Sequence, residues 1–337
     1  MDKKVKSSFE KKDIILLLSI FYILGIITAT VGFFLLWPND TVQEEPKKMY
    51  SELYVSDISI HRDQPQLAQE QSVQTTDTLW EVTTVLRSAI YHYTKKNGFM
   101  PNDLTALTQP FPHNIISSIP KEPHTLSNQV SQHFTNKGGW VYEPKKINNK
   151  QMKENQLKQL ISEALYPNVN VEGVNDIHFE PLRILVLKNS NELYLVADKT
   201  ILRKYTVALG HLGSTPEGIH TINQKIMNPN SHVTPLEESP YGKRALGISQ
   251  IAIHGTNSPE KIGENVSNGC IRMLNEEIKE LYSIVPLFTE VEISSDMDVQ
   301  ADLSDKTDIY LQNTEMIYNQ ADQTWETDNS KVYHWSG

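Results

Sequence analysis

The chain has 337 residues, 39% of them apolar, and a formal net charge of −10 from 31 Lys and Arg against 41 Asp and Glu. At roughly 100–200 residues per domain, that length holds two domains with further segments. The acidic balance argues against a general nucleic-acid binder. The single cysteine excludes an intramolecular disulfide framework and any Cys-rich zinc or iron–sulfur site.

Residues 1–13 carry Lys3, Lys4, Lys6, Lys11 and Lys12 against Asp2, Glu10 and Asp13. Residues 14–37, IILLLSIFYILGIITATVGFFLLW, contain no Asp, Glu, Lys or Arg. As a helix they span about 36 Å at ~1.5 Å per residue, enough for a ~30 Å hydrocarbon layer. Tyr22 and Trp37 suit the interfaces, and Pro38 stops the helix. The positive-inside rule then puts residues 1–13 in the cytoplasm and everything after Trp37 outside. A cleaved signal peptide would have a shorter apolar region and a small-x-small site. This run ends instead in Phe33, Phe34, Leu35, Leu36 and Trp37, so the expectation is an uncleaved single-pass anchor in the cell membrane.

Residues 38–76 are polar and read as a spacer. From Thr78, the spacing of Leu79, Val82, Val85, Leu86, Ile90 and Tyr93 predicts a helix, with Asn97-Gly98 ending it and Pro101-Asn102 opening a turn. Ile115, Ile116, Ile119-Pro120 and Trp140-Val141-Tyr142 follow, giving a small α+β module over 77–148. Within 149–181, MKENQLKQLISEALY (152–166) suits an amphipathic connecting helix with Leu157, Leu160, Ile161 and Leu165 on one side, ended by Pro167. Strand signals come next at Arg183–Leu187 and Leu193–Val196, with a hairpin turn at Asn189-Ser190-Asn191. Further short runs lie at Tyr205–Leu209, Gly218–Ile222, Ile248–Ile253 and Val291–Ile293. Residues 182–294 therefore read as a mainly β domain, a β-sandwich or open barrel, with one late helix. Residues 295–337 hold nine acidic residues and two Lys, a charge of 2 − 9 = −7, and read as a solvated, mostly disordered tail, with docking of its aromatic end as the alternative.

The chemistry-bearing segment is Ser267-Asn268-Gly269-Cys270-Ile271-Arg272, with His254-Gly255-Thr256 sixteen residues before the cysteine at the end of the apolar run IAIHG. A Cys/His pair at this separation is no metal signature; it suits a nucleophile and its base brought together by a strand and a returning loop. A free thiol is only a few per cent thiolate at neutral pH. An adjacent imidazole can take that proton to form a thiolate–imidazolium pair. Gly269 lets a bulky carbonyl approach the sulfur, and the amides of Asn268, Gly269 and Cys270 can face a developing oxyanion. Arg272 can grip a substrate carboxylate, or it can pair with Glu276. Asn275 is placed to cap a helix whose first turn holds Glu276 and Glu277 and whose stripe is Ile278, Leu281, Tyr282 and Val285. His211, His220 and His232 show no zinc-binding spacing. Thr215 and Gly218 read as turn formers.

HGTNSPEKIGENVSNGCIRM, preceded by GHLGSTPEG and followed by NEEIKELYSIVPLFTEVEI, resembles the L,D-transpeptidase catalytic domain of YkuD type over residues 182–294. The resemblance implies a mainly β fold acting on peptidoglycan stem peptides without metal or nucleotide. It implies Cys270 as nucleophile, His254 as general base, and the Gly255 carbonyl as the group orienting the imidazole. It also implies that Ser267 and Arg272 shape and bind the donor peptide, and that Tyr241-Gly242 lies over the cleft. Asn268 stands where many relatives have His, which puts donor contacts at that position in question. The module at 77–148 resembles the soluble part of type II pseudopilins over LRSAIYHYTKKNGFMPNDLTAL, IPKEP and GGWVYEP. No processing site precedes the apolar segment, so the reading kept for the module is a spacer or protein-partner domain. Two readings compete with crosslink formation: an L,D-carboxypeptidase using the same thioester, and a non-catalytic wall-binding scaffold.

Overall fold

The computed structural model describes residues 64–147, 152–171, 179–230, 233–235, 238–295, 303–305 and 335, with side chains from residue 78 onward. All of them belong to one unit, Arg62–Gly337. The apolar segment 14–37 lies outside the described residues; among the described residues no helix is long and apolar enough to cross a membrane.

Helix α1 runs over Gln64–Asn97, so ordered structure begins inside the segment read as a spacer. Leu79, Val82, Val85, Leu86 and Ile90 are buried, as their spacing predicts. The helix closes where expected, with the Gly98 N–H on Thr94 O at 2.8 Å. A three-stranded sheet follows, in the order β1 (Val130–Ser131), β2 (Trp140–Tyr142), β3 (Leu165–Pro167). The third strand comes from the end of the stretch read as helical. Helix α2 spans only Glu154–Ala164 and gives way to β3, because Pro167 drives Tyr166 into the extended region. Arg87 of α1, buried, donates from Nε and Nη2 to Leu165 O at 3.1 and 2.9 Å, binding α1 to the end of α2.

The β domain has two main sheets. Six strands are ordered β15 (Ser304–Asp305), β6 (Thr200–Thr206), β5 (Glu192–Ala197), β4 (Leu182–Leu187), β14 (Glu290–Ser294), β8 (Gly218–Thr221). Four are ordered β13 (Ile271–Arg272), β11 (Ile251–His254), β10 (Arg244–Ile248), β9 (Gln224–Met227). Strands β7 (Leu209–Gly210) and β12 (Asn265–Ser267) form a separate pair. Side-chain alternation sorts β4: Ile184 and Val186 enter the main core, while Leu185 and Leu187 join Tyr194, Val196 and Ile201 on the other face. Helix α3 (Asn275–Ile284) packs on β10 and β11 and buries Ile278, Leu281 and Tyr282; Val285, just past its end, is buried as well.

One expectation is corrected here. Leu274, not Asn275, is the N-cap of α3, and it makes no side-chain cap bond. Asn275 sits inside the first turn, and its side chain reaches back to Lys243 N and Thr256 O, so it is engaged elsewhere. Four residues of the acidic tail beyond Ser295 are described, 303–305 and 335. Leu303 packs on the outer face of the six-stranded sheet, β15 pairs with β6, and Trp335 returns to the core.

A buried ion network joins the two parts. Arg203 of β6 contacts Glu81 of α1 at 3.0 Å and Glu280 of α3 at 2.7 Å, while the Tyr205 hydroxyl donates to Glu280 at 2.9 Å. Burial alone would lower the pKa of the guanidinium, but the two carboxylates outweigh it and hold Arg203 firmly charged. Removing one partner strands a buried charge. Glu81→Ala is therefore expected to lower unfolding free energy by about 3 kcal/mol, read from the urea midpoint. An unchanged midpoint would show that the network is not needed for docking.

Candidate active site

Strand β11 is buried throughout and ends at His254. Strand β13 pairs with it in parallel, Ile253 opposite Ile271 and His254 opposite Arg272. Parallel neighbours need a long connection, and the sixteen-residue step from His254 to Cys270 supplies it. Sequence-distant groups thus arrive at one sheet edge.

The turn before the cysteine is held by Ser267. Its Oγ accepts the Gly269 N–H at 3.1 Å and donates to Cys270 O at 2.6 Å. Gly269 has φ 146, a conformation that disfavours any side chain. The Ser267 hydroxyl is thereby engaged within the turn, and the Gly269 amide is withdrawn from the expected oxyanion donors. Asn268 is exposed beside it. The Ala252 N–H donates to Cys270 Sγ at 3.4 Å.

His254 Nδ1 lies 2.5 Å from Gly255 O. A carbonyl oxygen only accepts, so Nδ1 carries the hydrogen and Nε2 the lone pair. Nε2 is buried without a hydrogen-bond partner. The Gly255 carbonyl is itself held in place. Gly242, at φ 61, lies so close that a Cβ there would fall 2.1 Å from Asn275 Oδ1 and 2.6 Å from Gly255 Cα. Asn275 Oδ1 accepts the Lys243 N–H at 3.1 Å, and its Nδ2 donates to Thr256 O at 2.9 Å. One amide side chain therefore bridges the two loops on either side of the glycine contact.

Tyr241 stands edge-on to His254, ring centroids 5.1 Å apart at 82°. Burial first, then the neighbouring Cys270 sulfur, push its phenol pKa up. Arg272 Nε is buried without a partner, and Glu276 binds Lys243 and Lys279 rather than Arg272. His211 is exposed and His220 lies on β8, while His232 lies outside the described residues.

Cys270 is 0% and His254 1% exposed. Burial pushes the thiol up to about 11 and the imidazole down to about 4, with the Arg272 charge opposing the first shift and adding to the second. The expected thiolate–imidazolium pair is therefore not the resting state. Desolvation penalises both charged forms, and the pair waits as neutral thiol and neutral imidazole.

Sequence reasoning missed Asn275 as a loop clamp, because a polar residue at a helix start reads as a cap. It also missed Phe111 and where the aromatic tail end docks: Phe111 and Trp335 pack with Ile226 and Ala245 beside the site. They come from the α+β module and the tail, and only the fold brings them there.

A family model described as the L,D-transpeptidase catalytic domain, YkuD, matches residues 181–293. The chain is 35% identical over 136 residues to a putative L,D-transpeptidase, YqjB, of Bacillus subtilis (strain 168), covering 37% of this chain and 77% of that protein. It is 35% identical over 130 residues to the putative L,D-transpeptidase YkuD of the same bacterium, covering 38% and 74%. Among solved structures, an L,D-transpeptidase from Mycobacterium smegmatis is similar at 21% identity and a TM-score of 0.27, over 34% of this chain and 60% of that chain. With about three quarters of two relatives' length matched at this identity, the chain belongs to the L,D-transpeptidase family of YkuD type.

Proposed function

We propose that the protein crosslinks peptidoglycan through a thioester on Cys270. The observation carrying this reading is the His254 tautomer: Nδ1–H is tied to Gly255 O, which leaves the Nε2 lone pair without a partner on the strand that pairs with the one entered through the chain's one thiol. An imidazole so fixed has one task available, to accept a proton at Nε2.

The donor is a stem tetrapeptide ending in a D-amino acid. Its terminal carboxylate is neutralised by Arg272, whose Nε–H has no protein acceptor. As Cys270 Sγ attacks the carbonyl of the diamino acid's L-centre, His254 Nε2 takes the thiol proton. The charge forms on sulfur only while it is moving onto the carbonyl oxygen, so a buried site does not have to hold a free thiolate. The Cys270 amide faces the oxyanion. Collapse of the tetrahedral intermediate breaks the peptide C–N bond, the imidazolium returns its proton to the leaving amine, and a thioester remains. An amine of a second stem then attacks the thioester, gives its proton to His254, and leaves with the acyl group as the new crosslink, while the thiol regains a proton. Transfer to water by the same steps would trim the stem instead.

The apolar run at 14–37 supports a single-pass anchor with the catalytic domain on the wall side. Full-length protein is then expected to fractionate with membranes at its intact mass, and recovery from the medium without its N-terminus would refute the anchor.

Cys270→Ala is expected to abolish crosslinked dimers, seen by mass analysis of digested muropeptides, and the carbapenem adduct on the intact protein, without loss of fold. His254→Ala is expected to lower kcat/KM about 10²–10⁴-fold. Crosslinking retained by Cys270→Ala contradicts the assignment, and trimmed tripeptides without dimers favour hydrolysis.

The pH dependence follows from the buried pair. A depressed imidazole keeps its base form as pH falls, so the acid limb of kcat/KM is expected near the lowered value of about 4 rather than the ordinary 6.5. A midpoint near the ordinary value would show that His254 is solvated before substrate arrives.

A further inference from the structure

The fully buried sulfur poses a steric question, since a nucleophile for a wall polymer must be reached from outside. Trp335 bears on it. The indole stands edge-on to Tyr241, centroids 5.0 Å apart at 90°, and Tyr241 stands edge-on to His254 at 5.1 Å. The Trp335 backbone also hydrogen-bonds the Tyr241 hydroxyl. Beneath the indole lies an apolar patch of Ile226 and Ala245, and Phe111 of the α+β module packs on the same patch. Ala245 is the β10 partner of His254, which places this patch directly across from the imidazole strand. Trp335 thus meets Tyr241 through an aromatic edge and a backbone bond and rests on an apolar patch, and it comes from a stretch with few aliphatic residues and a charge of −7.

We propose that the patch formed by Phe111, Ile226, Tyr241 and Ala245 is an intramolecular docking site for the tail, and that docked Trp335 pins Tyr241 over His254 and Cys270. Trp335 is the occupant, and a stem peptide must displace it to reach the sulfur. Two edge-to-face contacts and a hydrogen bond hold the closed arrangement at modest strength, which suits a cover that a substrate can lift. Phe111 gives the α+β module a part in the cover, because it forms one wall of the dock. The proposal concerns access to Cys270 and holds for transfer and for hydrolysis alike.

Alkylation by iodoacetamide tests it without using the enzyme's own reaction, because Cys270 is the chain's one cysteine. Trp335→Ala is expected to be alkylated about tenfold faster than wild type at the same pH, and Trp335→Phe, which keeps an aromatic edge, at a rate between the two. Equal rates for wild type and Trp335→Ala overturn the proposal. A second measurement does not depend on how the alanine variant folds. In wild-type protein carrying 5-fluorotryptophan, the Trp335 resonance, assigned by its absence from Trp335→Phe, is expected to move to a solvent-exposed position once Cys270 is alkylated. A resonance that stays in place overturns the proposal as well. Loss of alkylation in Cys270→Ala together with absent crosslinking in wild type would count against the proposed function and leave the docking result standing.

Discussion

The site depends on keeping an ionisable pair dry. A thiol and an imidazole side by side in water would exchange a proton readily, whereas in the core neither charge is affordable on its own. Burial therefore selects two neutral groups and defers charge separation until a carbonyl is present to receive it. The one polar contact of the imidazole, with the Gly255 carbonyl, then decides the rest. It places hydrogen on Nδ1 and leaves Nε2 as an acceptor with no competing donor.

That carbonyl is held by backbone packing rather than by another ionisable residue. Gly242 and Gly255 approach too closely for any side chain, and Asn275 bridges the loops flanking them. Ser267 braces the cysteine turn in the same way, with both hydroxyl functions satisfied internally. Farther out, Arg203 fastens α1 to β6 and α3 through Glu81 and Glu280. Since α3 begins with Asn275, the module that precedes the β domain is mechanically connected to the loop that orients the base.

Much of this was legible from residue patterns. The apolar spacing of α1 and α3 and the alternation in β4 and β5 read directly as elements, because burial of one face imposes the period. The convergence of Cys270, His254 and Arg272 on one sheet edge was legible because their spacing suits a strand and a returning loop. Three features were not. β3 was hidden because Leu165 continues the helical stripe until Pro167 forces extension. The opposition of burial to both charged forms was not legible, because desolvation needs the folded surroundings to evaluate. The contact of Trp335 with Tyr241 joins positions nearly a hundred residues apart, and no local period encodes it.

The central claim is that His254 waits as a neutral imidazole with hydrogen on Nδ1. Nitrogen NMR of ¹⁵N-histidine-labelled protein, with His254 assigned by substitution, reads this directly. The account predicts a protonated Nδ1 and an unprotonated Nε2, unchanged as pH falls through the ordinary histidine value of 6.5 toward about 4. An imidazolium at neutral pH, or hydrogen on Nε2, would contradict it.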